Sequence, residues 1–277
     1  MPRRITPLIA LCLFAAAPIG AEPERPDPLR GPVVSAEATR SIVSKDMSGR
    51  FRPLETRPEV AAVQKLDLDE VTRERTREII DQRALDVSML LVDHIDTVKE
   101  ITDRLPAGED DAARELLYDI WESFEPDAPR APLLGPLGGV LSPDQLAEVR
   151  RLVDDYWAAW IDWDLRGSEK RRKDPAARAR VEKRLAFHLF EREVRRGYDA
   201  SLGHYREAVE AIYNAVDPTD EQREAIREII IDHIKSTRLH ATPAQRRETN
   251  MKIYRMLDDE RKERLFAYMI RVILPDE

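Results

Sequence analysis

Apolar residues recur at helical spacing through most of this chain, and no stretch sustains the alternation of a strand between turn signals. From Leu68 to Leu105, Ile80, Val87, His94 and Ile101 recur every seven residues, and Ala84, Leu91, Val98 and Leu105 recur four places on. That spacing predicts one long helix with a single apolar stripe, ended by Pro106 and Gly108. Glu109 to Phe124 predicts a shorter helix with Leu116, Leu117, Ile120, Trp121 and Phe124 on its apolar side, closing a helical hairpin over residues 67–125. Residues 126–141 carry four prolines and Gly135, Gly138 and Gly139, a composition expected of a linker and hinge between domains.

The remaining residues, 142–277, read as a C-terminal helical region. Val149, Leu152, Val153, Tyr156, Trp160 and Trp163 line one helix up to Gly167, and Asp174-Pro175 restarts the chain as cap and first helical residue. The next helix is expected to run toward Val216, about 60 Å at 1.5 Å per residue. Gly197 and Gly203 mark places where it can kink. Three further helices begin at Thr219, Thr242 and Asp258. The expected fold class is all-α, a long-helix bundle or hairpin array.

Three starts share one device. Ser142 and Gln145, Thr219 and Gln222, and Thr242 and Gln245 each stand three residues apart just before an apolar-periodic run. This is the capping box, in which the hydroxyl accepts from the backbone N–H three residues on and the Gln reaches back to the cap's own N–H. A shorter echo, Arg73 to Ile80 against Arg223 to Ile230, matches at six of eight positions, as Arg/Glu-rich helix starts readily do.

The first residues have a different character. Arg3 and Arg4 precede an apolar core from Leu8 to Ala17 and then Glu22-Pro23-Glu24, the layout of a secretory signal peptide over 1–21, cleaved near Ala21. Cys12 follows Leu11 where a lipoprotein signal needs a small residue. Cleavage removes this cysteine, so no disulfide is expected, and the location implied is periplasmic or secreted. Residues 22–66 hold six prolines and few large apolar side chains, which predicts a flexible, disordered tether docking only near Phe51 and Leu54. With 45 basic and 53 acidic residues the formal net charge is −8, which argues against nucleic acid as a partner. No later segment has the uncharged length of a transmembrane helix.

Candidate chemistry is sparse. The five histidines, His94, His188, His204, His233 and His240, include no pair spaced i, i+4, so no metal and no cofactor is expected. No nucleophile elbow or dinucleotide fingerprint suggests an enzyme, and no catalytic residue stands out. Trp157 and Ile161 fall off the stripe of their helix, which makes Trp157 either a client-binding face or core packing. Met251, Tyr254, Met256, Phe266 and Met269 form an adaptable apolar group suited to binding clients or to a hairpin core. The basic stretch from Arg166 to Arg184 is read as a contact for anionic headgroups, a solvated face, or intersubunit salt bridges.

The capped starts resemble the LTxxQ family of exported bacterial proteins, which includes the Spy and CpxP periplasmic proteins. Leu141-Ser142-Pro143-Asp144-Gln145 keeps the motif's Leu and Gln, while Pro218 to Gln222 and Ala241 to Gln245 keep its Thr and Gln. Residues 248–257, followed by Glu260-Arg261-Lys262, are similar to the segment leading into the family's second motif. The likeness covers residues 141–160 and 217–273. It implies a curved all-α protein, often a cradle-like homodimer, that binds unfolded clients, senses envelope stress or, in some members, binds metal. The expected function is thus an exported all-α binding protein that covers apolar segments of protein clients, with a scaffolding envelope protein or a metal-responsive sensor as alternatives.

Overall fold

The computed structural model describes residues 41–127 and 129–273, with side chains to residue 268. The expected signal peptide and the first part of the expected tether lie outside the described residues. Among the described residues the chain is all-α, with one two-stranded ribbon beside its helices. Two compact units divide it, each built from two separate stretches: residues 41–87 with 104–195, and residues 88–103 with 196–273.

The first unit opens with β1 (Ser44–Lys45) and β2 (Phe51–Arg52), antiparallel with Lys45 opposite Phe51. Asp46 shapes the turn between them, its carboxylate accepting from Ser48 N–H at 2.8 Å and Arg50 N–H at 2.9 Å. Gly49 supplies the left-handed φ of 78° that the turn needs. Phe51 then stacks on Trp160 at 5.9 Å between ring centroids and tilts against Tyr156 at 5.3 Å. The Leu54 N–H donates to the Tyr156 hydroxyl at 3.0 Å, and its carbonyl accepts from Arg192. Next comes α1 (Pro58–Val63), every residue of it buried, packed on α6 (Pro143–Asp164).

Ile42, Phe51 and residues 57–63 are therefore part of a core, which corrects the expectation of a flexible tether there. Ile42, Phe51, Val60 and Val63 are few but all buried, and Ala61 and Ala62 are small enough to bring α1 close to α6. Composition averaged over the segment conceals this, because close packing of small residues buries area that a count of large ones misses.

Charge is buried with the segment. Arg57 Nη2 lies 2.5 Å from Glu193 and 3.9 Å from Glu125, and Arg83 Nη2 lies 2.7 Å from Glu125 and 2.9 Å from Glu193. Trp121 Nε1 donates to Glu125 at 3.0 Å, and the Leu133 N–H donates to Glu59 at 3.3 Å. Burial works against the Arg57 charge, but Glu193 and its neighbouring carboxylates outweigh it. Burial also opposes the Glu193 charge, and Arg57 and Arg83 outweigh it, holding that carboxyl below its usual range. Glu59, wholly buried, is pushed up by desolvation despite Arg57.

The same unit holds the first part of α2 (Glu70–Asp93), then α4 (Asp110–Phe124), α5 (Leu134–Leu137), α6, α7 (Glu169–Lys173) and most of α8 (Pro175–Ser201). The Pro/Gly segment 126–141 is no domain boundary. Leu133, Leu137 and Leu141 anchor it in the core, and at Gly138 a Cβ would meet the Leu146 side chain at 3.3 Å and the Gly135 carbonyl at 3.2 Å. Gly138 serves close packing, and the chain divides within helices instead.

In the second unit α3 (Ile95–Arg104) follows α2 after a break at His94, where the N–H still bonds Leu90 at 3.0 Å. The heptad stripe buries Val98 and Leu91, whereas Leu105 at its far end is 49% exposed. After Leu202 the chain restarts as α9 (Gly203–Val216), so the long helix breaks at one of its two suspect glycines. Then come α10 (Asp220–Thr237), α11 (Pro243–Met256) and α12 (Asp259–Ile273), with α10 packed on α11 and α9, and α9 on α12. Ile212, Val216, Ile226, Ile230, Ile253 and Leu265 fill the seam.

Outside that seam runs a ladder of ion pairs. Asp93 meets Arg238 at 2.6 Å and Asp96 meets Lys235 at 2.8 Å, while Lys99 meets Glu224 and Glu228 and Asp103 meets Arg227. Descending numbers on α10 against ascending ones on α2 and α3 make the pairing antiparallel.

Candidate binding surface

The expected site residues are divided between the two units. Trp157 is fully buried in the first unit, so the core alternative holds for it and the client-face reading is corrected. An indole off the expected stripe still meets protein because α6 is covered on more than one side, by α1 and by α5. Met251 and Tyr254 are half-buried in the second unit, with Lys262 over the Tyr254 ring at 5.9 Å. Phe266 is 43% exposed, and the side chain of Met269 lies outside the described ones.

The six capping residues make the bonds expected of them. Gln145 N–H donates to Ser142 Oγ at 3.3 Å and Ser142 N–H to Gln145 Oε1 at 3.0 Å. The corresponding distances are 3.2 and 3.1 Å at Thr219 and Gln222, and 3.3 and 2.9 Å at Thr242 and Gln245. They satisfy helix ends, and the Gln222 amide also donates to the Asp258 carboxylate at 3.4 Å.

Of the histidines only His233 is buried. Its Nδ1 lies 2.8 Å from Thr249 Oγ1, and its ring faces Tyr205 edge-on at 6.1 Å. Desolvation lowers its pKa, and Arg246 and Lys252 of α11 lower it further, which favours the neutral ring. Among the described residues no group of His, Cys, Asp or Glu is disposed to hold a metal ion.

A different region draws charge together. Residues 166–184 hold nine Lys or Arg against three Asp or Glu, in a chain of net charge −8. Its start is α7, a single turn in which no residue is buried, capped by Ser168 accepting from Arg171 N–H at 3.3 Å. The hydroxyl cap escapes a search for capping boxes because the third position holds Arg, not Gln. Asp174 caps α8 by accepting from Ala176 N–H at 3.0 Å.

The cations of α8 divide by partner. Arg178 and Arg184 reach back to Asp162 and Asp164 of α6, and Lys183 pairs with Glu122 of α4 at 3.0 Å. Hydrogen bonds to Tyr118 and Glu122 raise the Lys183 pKa, and Lys183 lowers that of Glu122. Arg114 of α4 answers with Glu191 of α8 at 3.0 Å. Between α4 and α8, Arg114, Lys183 and Arg184 line an open groove of about 450 Å³ together with Asp111, Glu115, Tyr118, Arg180 and Phe187.

Arg180 makes no ion pair with the described residues, and neither do Lys170, Arg171 and Arg172 of α7. All four side chains are exposed. Just before them, Arg166 lies 3.8 Å over the ring of half-exposed Trp163 and donates to its carbonyl at 2.8 Å. The sequence marks the stretch as basic; only the fold separates cations consumed by internal pairs from those left facing solvent.

No family model matches the chain, and no curated protein and no solved structure matches it.

Proposed function

We propose that the chain is an exported helical binding protein of the cell envelope that attaches to an anionic partner through the basic face of α7 and α8. The carrying observation is the set of four exposed cations, Lys170, Arg171, Arg172 and Arg180, without carboxylate partners among the described residues, in a chain whose formal net charge is −8. Folding alone gives no reason to concentrate unneutralised positive charge on one short turn and its neighbour. Such a patch raises the local concentration of anions and steers encounter.

The test is retention of the full chain on a polyanionic resin at neutral pH. A protein of net charge −8 is expected to flow through on charge alone. Retention that is lost in the variant Lys170→Gln/Arg171→Gln/Arg172→Gln supports the reading, and flow-through of the wild-type chain refutes it.

A second reading, that the protein covers apolar client segments as the LTxxQ resemblance implies, is favoured by Phe266, 43% exposed on α12, with Tyr254 and Met251 half-exposed on α11. It would act through the second unit, alone or as a homodimer. Suppression of aggregation of an unfolded test protein, lost in Phe266→Ser, supports that reading; no suppression at equimolar amounts removes it.

A further inference from the structure

Resting on the anionic-partner reading, we propose that α7 and the Trp163–Arg166 pair seat the protein on the surface of a bilayer rich in anionic phospholipid. The shape of the charge favours a bilayer over a folded acidic partner. Lys170, Arg171 and Arg172 stand on a turn with no buried residue, and they do not converge on a pocket that would select one small anion. A fluid array of phosphates instead accepts flexible, divergent cations wherever they project.

The aromatic neighbour fits the same surface. Trp163 is half-exposed at the end of α6, its ring under the Arg166 guanidinium at 3.8 Å. An indole beside cations is the side-chain combination that settles at headgroup depth, with the apolar ring toward the acyl boundary and the charge toward phosphate. No described helix is long and apolar enough to cross a membrane, so the contact proposed is peripheral.

The experiment is co-sedimentation of the full chain with vesicles of phosphatidylglycerol mixed with phosphatidylcholine, and of phosphatidylcholine alone, at low and raised salt. Binding is expected only to the anionic vesicles and is expected to weaken with salt. Each cation near such a surface accounts for about a five-fold change in partition, so Lys170→Gln/Arg171→Gln/Arg172→Gln should weaken binding about a hundred-fold. The three side chains have no partner among the described residues, and an unchanged circular dichroism spectrum would confirm that the variant folds. Trp163→Ala should weaken binding while leaving its salt dependence in place. Equal binding of the triple variant and the wild-type chain would overturn the proposal. Retention on a polyanionic resin without binding to anionic vesicles would overturn the bilayer and leave the anionic-partner reading standing. Failure of both would remove both.

Discussion

Arg57 and Glu193 make the most consequential contact at the scale of single residues. Arg57 is buried and Glu193 largely so, at 4% and 16% side-chain exposure, and each is the other's closest counter-charge. Removing one leaves the other charged in a poor solvent, so Glu193→Gln is expected to cost about 3–5 kcal/mol in chemical denaturation. Asp93→Asn, which breaks an equally short pair on the exposed ladder, should change stability by little. Trp157→Ala, which empties a fully buried site, is expected to cost about 3–5 kcal/mol. His233 and Glu193 give acid two points of action. His233 has its folded pKa below the ordinary 6.5, so the unfolded chain binds the proton better, and stability of the second unit falls as pH drops below that value. Glu193 is likewise held below the ordinary 4.5, and its contribution to the first unit, complete above that value, is lost as pH falls through the lowered folded pKa. All four tryptophans lie in the first unit. Their emission should therefore hold through pH 6 and change only in the carboxylate range, while the NMR signals of Tyr205 and His233 respond first. A tryptophan change that precedes the tyrosine and histidine signals would contradict this order.

Helix starts were the most legible elements, because their chemistry is local. Ser142, Thr219 and Thr242 need only the residue three places on, and the distances between cap and Gln follow from a single turn of backbone. Thr242→Ala is expected to cost about 1 kcal/mol in denaturant midpoint measurements, and Thr242→Asp to recover most of it. The internal echo also has a local cause. Arg73 Nη2 donates to the Leu68 carbonyl at 2.7 Å and Arg223 Nε to the Pro218 carbonyl at 3.2 Å, each reaching five residues back over the start of its helix. The start of α12 was less plain, since its cap is Asp258 with Arg261 in the third position. The Arg261 N–H and guanidinium hold that carboxylate down to about 2. What the sequence concealed was non-local. Whether Phe51 is core depends on Tyr156 and Trp160 more than 100 residues away, and whether residues 126–141 form a linker depends on what Leu133 and Leu137 meet. Periodicity carries no information about a partner that distant. The basic face was half legible: its sign is in the sequence, but the pairing of Arg178, Lys183 and Arg184 with α6 and α4 is not.

For the whole molecule, each of the two units is assembled from separated stretches, so neither the expected N-terminal hairpin, 67–125, nor the expected C-terminal region, 142–277, coincides with one of them. Each unit carries one candidate surface. The first has exposed cations on α7 and α8, and the second has the partly exposed apolar side chains of α11 and α12. Exposed large apolar residues elsewhere, Met47, Val71, Leu85 and Leu105, stand singly along the sequence, as they commonly do on monomer surfaces. The two candidate surfaces predict different footprints. Backbone hydrogen exchange of the full chain with and without the anionic partner, polyanion or vesicle, separates them in one measurement. Slowed exchange confined to residues 163–184 is the expected result. Slowed exchange at residues 251–268 with none at 163–184 would contradict the basic face as the binding surface.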